Sequence, residues 1–318
     1  MGNLDILKRH NMLPLNFFVI GVPKSGTTSL YEYLRLHPEI YLPAQKELHF
    51  FTNERLLENI SGPGDKDAIS SVVKSYEDYY KLYNEAQSEQ VTGDISPSYF
   101  YFIDDFISNL KDIEHNHVKI IICLRDPINR AISNYRHKRR LVLEKLAFHE
   151  AIEKEEERKV MGYGDFWRYK DHSLYSKKLK KVLDYFGKEN VKVILFEDLT
   201  EETAKTCEDI FQFLGVNNKF AIKNSTKVFN KGGSYKQNIF TKYLLKPSRV
   251  KRILYNIFPS IVIKSYNYFK KGITEYYQRE EEVIEEKTRK YLVRFFKEDV
   301  NILEKDFGID TSKWQRYD

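Results

Sequence analysis

One stretch near the N-terminus constrains the fold more than any other. Asn16-Phe-Phe-Val-Ile-Gly21 is a short continuous apolar run closed by glycine, Pro23-Lys-Ser-Gly-Thr-Thr28 is a loop of small and hydroxylated residues, and Ser29 to His37 carries a helical pattern that stops before Pro38. The order reads as buried strand, loop, helix. Backbone N–H groups of such a loop and the dipole of the helix behind it can hold an anionic phosphate. Against the nucleotide-triphosphatase pattern G-x-x-x-x-G-K-[ST], Gly21, Gly26 and Thr28 match, but Thr27 replaces the lysine, which stands earlier as Lys24. A lysine on the leading side of the loop can contact the atom that bridges a 5′-phosphate to a transferable group. Read alone, the octapeptide is equally a turn that caps a helix.

The rest of the chain continues the alternation. Strands are expected at Ile40 to Leu42, Gln90 to Ile95, Val118 to Leu124 and Val191 to Phe196. Helices are expected at Val72 to Ala86, from Pro127 toward Leu143, Phe148 to Val160, Leu174 to Phe186 before Gly187, and Thr200 to Leu214 before Gly215. The fold class is therefore α/β: a P-loop-like, mainly parallel sheet flanked by helices, with C-terminal helical additions. With 318 residues, 42% of them hydrophobic, the chain is long enough for one large domain, and neither a solenoid repeat nor a low-complexity linker interrupts it. Two scattered cysteines, Cys123 and Cys207, exclude a disulfide framework. The first residues lack a signal-peptide core of about 7–15 apolar residues, and no run approaches the roughly 20 needed to span a bilayer, so a cytoplasmic protein is expected.

A second motif joins the loop in a resemblance to a known family. Pro23 to Thr28 resembles the 5′-phosphosulfate loop P-K-S/T-G-T-T of the sulfotransferases that use 3′-phosphoadenosine 5′-phosphosulfate (PAPS). Arg125-Asp-Pro-Ile-Asn-Arg-Ala-Ile-Ser-Asn-Tyr135 matches their R-D-P-x-x-R-A-x-S-x-Y at every fixed position. The resemblance implies that Arg125 and Ser133 bind the 3′-phosphate, a role suited to a guanidinium fork and a hydroxyl near a helix start. It also implies that Lys24, Ser25, Gly26, Thr27, Thr28 and Ser29 hold the 5′-phosphosulfate, and that Lys231-Gly232-Gly233 wraps the donor. PAPS is the implied donor, PAP the product, and no metal is required; His115-Asn-His117, the nearest approach to a ligand set, reads as a solvated turn. The likeness covers nearly the whole chain, read as one domain over 1–318 with an α/β donor-binding core at 14–235 and a helical part at 236–318.

Lys46-Glu-Leu-His-Phe-Phe51 resembles the K-E-x-x-F-F segment of the carbohydrate and heparan sulfate branch and its bacterial relatives, where the glutamate is the acceptor base. That implies Glu47 as base, with Lys24 on the leaving-group side. His49 is the rival, because imidazole titrates near neutrality, although a histidine between apolar neighbours is more often a packing residue. Tyr99, Tyr101, Phe166 and Trp167 could wall a sugar ring, with core packing the commoner role of such aromatics, and Tyr175 matches a tyrosine frequent in the family. Thr52 and Ile95 stand where heparan-type enzymes often carry an aspartate and a lysine, so heparan is not carried over as acceptor. The expected partner is a carbohydrate or glycoconjugate hydroxyl.

Two other classes compete. A P-loop small-molecule kinase would use Asp126 as its metal carboxylate; against it stand Thr27 in the lysine position and Arg125 before Asp126. A non-catalytic binder of anionic polysaccharide or membrane would use the acid-free tract from Ile210 to Ile273. That tract holds 13 of the 52 basic residues and leaves 39 basic against 46 acidic elsewhere. Peripheral contact with an anionic membrane is expected through 236–272. Nucleic acid is not, because no reader motif accompanies the charge.

Overall fold

The structure, a computed structural model, describes residues 15–111, 118–222, 234–235, 278–279 and 283–317. In chain order its elements are β1 (Phe17–Gly21), α1 (Thr27–Leu34), β2 (Ile40–Tyr41), α2 (Asn53–Glu58), α3 (Asp65–Ala68), α4 (Tyr76–Lys81), β3 (Val91–Ile95), α5 (Ser98–Tyr101), α6 (Ile103–Leu110), β4 (Lys119–Leu124), α7 (Pro127–Arg140), α8 (Phe148–Glu153), α9 (Glu155–Val160), α10 (Ser176–Phe186), β5 (Val191–Leu195), α11 (Phe196–Glu201), α12 (Thr203–Leu214) and α13 (Glu286–Phe307). The five strands form one sheet in the order β2-β3-β1-β4-β5, and every pairing is parallel. Ser234–Tyr235 pairs antiparallel with Gln278–Arg279. Among the described residues no helix is long and apolar enough to cross a membrane.

The continuous apolar runs of β1 and β4 follow from burial on both faces. Phe18, Ile20, Ile120, Ile122 and Leu124 point into a core closed by Phe106 of α6, Leu179 and Val182 of α10, and Leu292 and Phe296 of α13. Phe17, Val19, Ile121 and Cys123 point the other way, onto Leu30 and Leu34 of α1 and Ile210 and Phe211 of α12. Each of these side chains is fully or almost fully buried, which contributes about 1.5–3 kcal/mol apiece. β1 lies at the centre, and the chain turns from one side of it to the other between β3 and β4. Sites of α/β sheets form at such a switch point, beyond the strand carboxyl ends.

Three expected helices are shorter or divided. The helix expected from Val72 begins at Tyr76, because the Val73 amide donates to Leu48 O at 3.0 Å and Ser75 caps the helix by accepting from the Asp78 amide at 3.1 Å. The charged stretch 148–160 divides at Lys154. There Glu155 turns inward, and its carboxylate accepts the Lys170 amide at 2.6 Å. The stretch expected as one helix from Thr200 divides at Glu202 into α11 and α12, whose end is set by Gly215 in the left-handed region as expected. Of the C-terminal helical part, α13 is described; most of the basic tract, including 236–272, lies outside the described residues, as do His115 and His117.

Candidate active site

The loop after β1 is built to expose amides. Lys24 and Gly26 both have positive φ, 73° and 82°. Gly26 is the N-cap of α1 and offers no side chain to the first helical amides, which are left free to donate to an anion. A Cβ at Gly26 would come within 2.9 Å of Phe196 Cδ2 and 3.1 Å of Leu199 Cδ2, so close packing requires glycine as well. Thr27 is buried at the first helical position, and Thr28 and Ser29 are partly exposed on that first turn. The neighbouring strand β4 holds the loop from below: the Cys123 thiol donates to Ser25 O at 2.8 Å and the Val22 amide to Cys123 O at 2.9 Å. Ser25 is fully buried, yet among the described residues its Oγ has no hydrogen-bond partner. Burial, aided by Arg140, Arg125 and Arg130 and opposed by Glu47, brings the Lys24 ammonium down to about 8.

Arg125 leaves the end of β4 and crosses to the same loop. Its Nη1 donates to Lys24 O at 2.9 Å, and its guanidinium lies over the Phe196 ring, 4.2 Å from the centroid. The buried Nε has no hydrogen-bond partner among the described residues. Asp126, next in sequence, is committed elsewhere. Its Oδ1 caps α7 by accepting the Asn129 amide at 2.7 Å, and its Oδ2 accepts Gln315 N at 3.2 Å and the Tyr317 hydroxyl at 3.0 Å. Arg130 is fully buried and donates to Ser173 Oγ and to Tyr169 O, both at 2.6 Å. Ser133 lies further along α7, partly exposed. Lys231, Gly232 and Gly233 fall outside the described residues.

The segment carrying Glu47 is held against the end of β3. The Glu47 amide donates to Ile95 O at 3.2 Å, and the His49 amide to Ser96 Oγ at 3.0 Å. Ser96 Oγ in turn donates to buried Asp94 at 2.7 Å, which also accepts the hydroxyls of Tyr79 and Tyr99 at 2.9 and 2.7 Å. Glu47 and His49 both take positive φ, so the segment kinks at each. The Glu47 side chain is 46% exposed and pairs with Lys46, whereas His49 is only 16% exposed and bonds Ser98 Oγ through Nδ1 at 2.6 Å. Burial alone would raise the Glu47 carboxyl, but Lys46, with His49 and Lys24, more than offsets that and holds it below the ordinary carboxylate range. Burial pushes His49 down to about 4 despite Glu47, so the ring is neutral at physiological pH.

Beyond Glu47 and His49 opens a cavity of about 270 Å³, lined further by residues of α3, the end of α7 and the stretch 164–166. Phe166 is its aromatic wall. The other aromatics expected there are elsewhere: Tyr99 and Tyr175 are fully buried and Trp167 almost so. Each has found a buried partner for its polar tip, Tyr99 in Asp94, Trp167 in Asp65 Oδ1 at 2.9 Å, and Tyr175 in Arg125 O at 3.0 Å, so the ring can enter the core whole. Tyr175 thus supports the Arg125 backbone, and the Tyr101 ring packs tilted against His172 with centroids 3.7 Å apart. Residues not anticipated from the sequence include Arg140, which acts electrostatically on Lys24, and His137, whose Nδ1 lies 3.0 Å from Arg140 Nη2. Their signal was the basic run Arg136 to Arg140 at the end of α7.

Residues 14–291 match the family model described as the sulfotransferase domain. Among curated proteins, the chain is 28% identical over 272 residues to human (Homo sapiens) heparan sulfate glucosamine 3-O-sulfotransferase 5, an alignment spanning 82% of this chain and 70% of that protein. It is 30% identical over 155 residues to mouse (Mus musculus) carbohydrate sulfotransferase 15, spanning 38% of this chain and 26% of that one. Among solved structures, a sulfotransferase from Alicyclobacillus acidocaldarius superposes with a TM-score of 0.74 at 30% identity, covering 95% of this chain and 99% of that one.

Proposed function

The chain belongs to the sulfotransferase family, and on that premise we propose that it moves a sulfuryl group from PAPS to a hydroxyl of a carbohydrate or glycoconjugate. The observation that carries this reading is the convergence of the two motifs at Lys24: Arg125 Nη1 donates to Lys24 O beside a helix start whose N-cap, Gly26, offers no side chain to the first amides. Free helix-start amides with a guanidinium and an ammonium beside them fit an anionic ligand with several phosphate oxygens. The loop amides, Thr27 and Thr28 would hold the 5′-phosphosulfate, and Arg125 with Ser133 the 3′-phosphate.

In the transfer step the acceptor oxygen forms a bond to sulfur while the bond from sulfur to the 5′-phosphate oxygen breaks. The acceptor proton passes to Glu47, and the electron pair of the broken bond leaves on PAP, where Lys24 neutralises the developing charge. With its ammonium near 8, Lys24 is mainly protonated at neutral pH. Glu47 is favoured over His49 as base because it is ionised and nearly half exposed. Losing a general base costs about 10²–10⁴-fold, and losing an electrostatic donor to the transition state about 10²–10³-fold. A magnesium kinase would need Asp126 for its metal, and both Asp126 oxygens are already engaged.

The test is transfer of labelled sulfate from PAPS with wild type, Glu47→Gln, His49→Ala and Lys24→Ala, alongside thermal stabilisation by 3′,5′-ADP without magnesium. Stabilisation by Mg-ATP alone would refute sulfotransfer. Near-wild-type kcat in Glu47→Gln, with loss in His49→Ala, would move the base to His49.

A further inference from the structure

The backbone that carries Arg125 is held by three side chains from outside the nucleotide loop. The Tyr175 hydroxyl donates to Arg125 O at 3.0 Å, and the next amide, that of Asp126, donates to Glu197 Oε1 at 3.3 Å. Asp126 itself fixes the start of α7 by accepting the Asn129 amide. One short segment after α13 touches all three. Trp314 Nε1 donates to Glu197 Oε2 at 3.1 Å, and its ring packs edge-on against Tyr175 with centroids 6.4 Å apart. Gln315 N and the Tyr317 hydroxyl donate to Asp126 Oδ2 at 3.2 and 3.0 Å. Trp314 and Tyr317 are both buried.

Electrostatics point to the same contacts. Burial disfavours the Arg125 charge, and among its neighbours Glu197 does most to restore it. Glu197 also follows Phe196 directly, so the bond from Trp314 anchors the residue whose ring lies under the guanidinium. A guanidinium grips a phosphate through a planar fork, and such a grip is sensitive to small displacements of its base. The 5′ side of the site is supported separately, because β4 holds the loop through Cys123.

Resting on the reading of Arg125 as a ligand of the 3′-phosphate, we propose that Trp314 and Tyr317 are positioning residues that set the preference for a nucleotide carrying that phosphate. Neither needs to touch the ligand. Trp314 acts through Glu197 and Tyr317 through Asp126, and both act on the placement of Arg125. Selection of the donor by its 3′ end then depends on side chains 189 and 191 positions beyond Arg125 and Asp126 respectively.

The experiment measures equilibrium binding of 3′,5′-ADP and of 5′-AMP, the same nucleotide without the 3′-phosphate, to wild type, Trp314→Phe, Tyr317→Phe and Lys313→Ala. Trp314→Phe keeps a ring against Tyr175 and removes the donor to Glu197; Tyr317→Phe removes the donor to Asp126. Each should weaken 3′,5′-ADP by about tenfold, the scale of a hydrogen bond to a charged group, and leave 5′-AMP unchanged. The KM for PAPS should rise by the same factor with kcat little altered. Lys313→Ala is the control: it removes only ion pairs to Asp198, Glu201 and Glu202 on α11, and pairs of that kind contribute little, so the ratio of the two affinities should stay at the wild-type value. If one aromatic variant does not fold, the other carries the test. An equal loss for both nucleotides, an unchanged ratio in the aromatic variants, or the same fall in Lys313→Ala each overturns the proposal. Wild type that binds 3′,5′-ADP no better than 5′-AMP would instead overturn the 3′-phosphate reading of Arg125 beneath it.

Discussion

Replacing Gly26 with alanine separates the two demands made on that position. At φ 82° any residue with a Cβ loses about 1–2 kcal/mol relative to glycine. The new Cβ would also stand 2.9 Å from Phe196 and 3.1 Å from Leu199, and overpacking of this kind costs about 1–3 kcal/mol. Gly215, at the end of α12, supplies the control: its φ is 78°, and a Cβ added there would meet no atom of the described residues within 4 Å. Gly215→Ala should therefore lose only the backbone share, about 1–2 kcal/mol, and Gly26→Ala a further ~1–3 kcal/mol. Because Phe196 carries the Arg125 guanidinium on its face, Gly26→Ala should also weaken 3′,5′-ADP binding by at least about tenfold, or 1.4 kcal/mol. Urea unfolding of both variants and titration calorimetry with 3′,5′-ADP give the two quantities. Equal destabilisation of the two variants, with unchanged nucleotide affinity, would refute the close-packing argument.

Two further outcomes concern proton equilibria. Transfer requires Lys24 protonated and Glu47 ionised, so kcat/KM should fall as pH rises through about 8 and again as pH falls through a value below the ordinary carboxylate range; a pH profile of Lys24→Arg that keeps the alkaline limb in place would remove Lys24 from that assignment. Burial raises Glu155 to about 7 from 4.5, so the folded state holds its proton longer than the unfolded one and loses stability as pH climbs through that interval. At most about 3.4 kcal/mol is involved, from the roughly 2.5-unit difference. Glu155→Gln should accordingly raise the melting temperature at pH 8 and leave it nearly unchanged at pH 4.5, and a difference independent of pH would contradict the burial argument.

The sheet was readable because β1 and β4 are buried on both faces, and a continuous apolar run closed by Gly21 or Arg125 leaves little else to form. The phosphate loop was readable for a related reason: its chemistry is local, held in eight consecutive residues. What was not readable depends on distant partners. Nothing near Glu155 announces that the Lys170 amide will donate to its carboxylate and divide a helix, and nothing near Trp167 announces Asp65, 102 positions earlier. Of the expected aromatic wall Phe166 lines the cavity, while Tyr99 and Trp167, whose polar tips find buried acceptors, pack in the core. The cavity beyond Glu47 escaped notice because α3, α7 and residues 164–166 supply it together, far apart in sequence. Summed charge pointed elsewhere, toward a basic tract that lies mostly outside the described residues.

The fastening of Asp126 has a consequence for the order of assembly. The corner bearing Arg125 is tied by Gln315 and Tyr317, 189 and 191 positions later, and Trp314 reaches Glu197 beside it. During synthesis the sheet, the loop and Arg125 all emerge well before these residues exist. A ribosome-bound chain can thus pair its five strands while the nucleotide corner is still untied, so binding competence waits until synthesis has passed position 317. Chains truncated before position 314 would keep the sheet and its motifs and lack this final clasp.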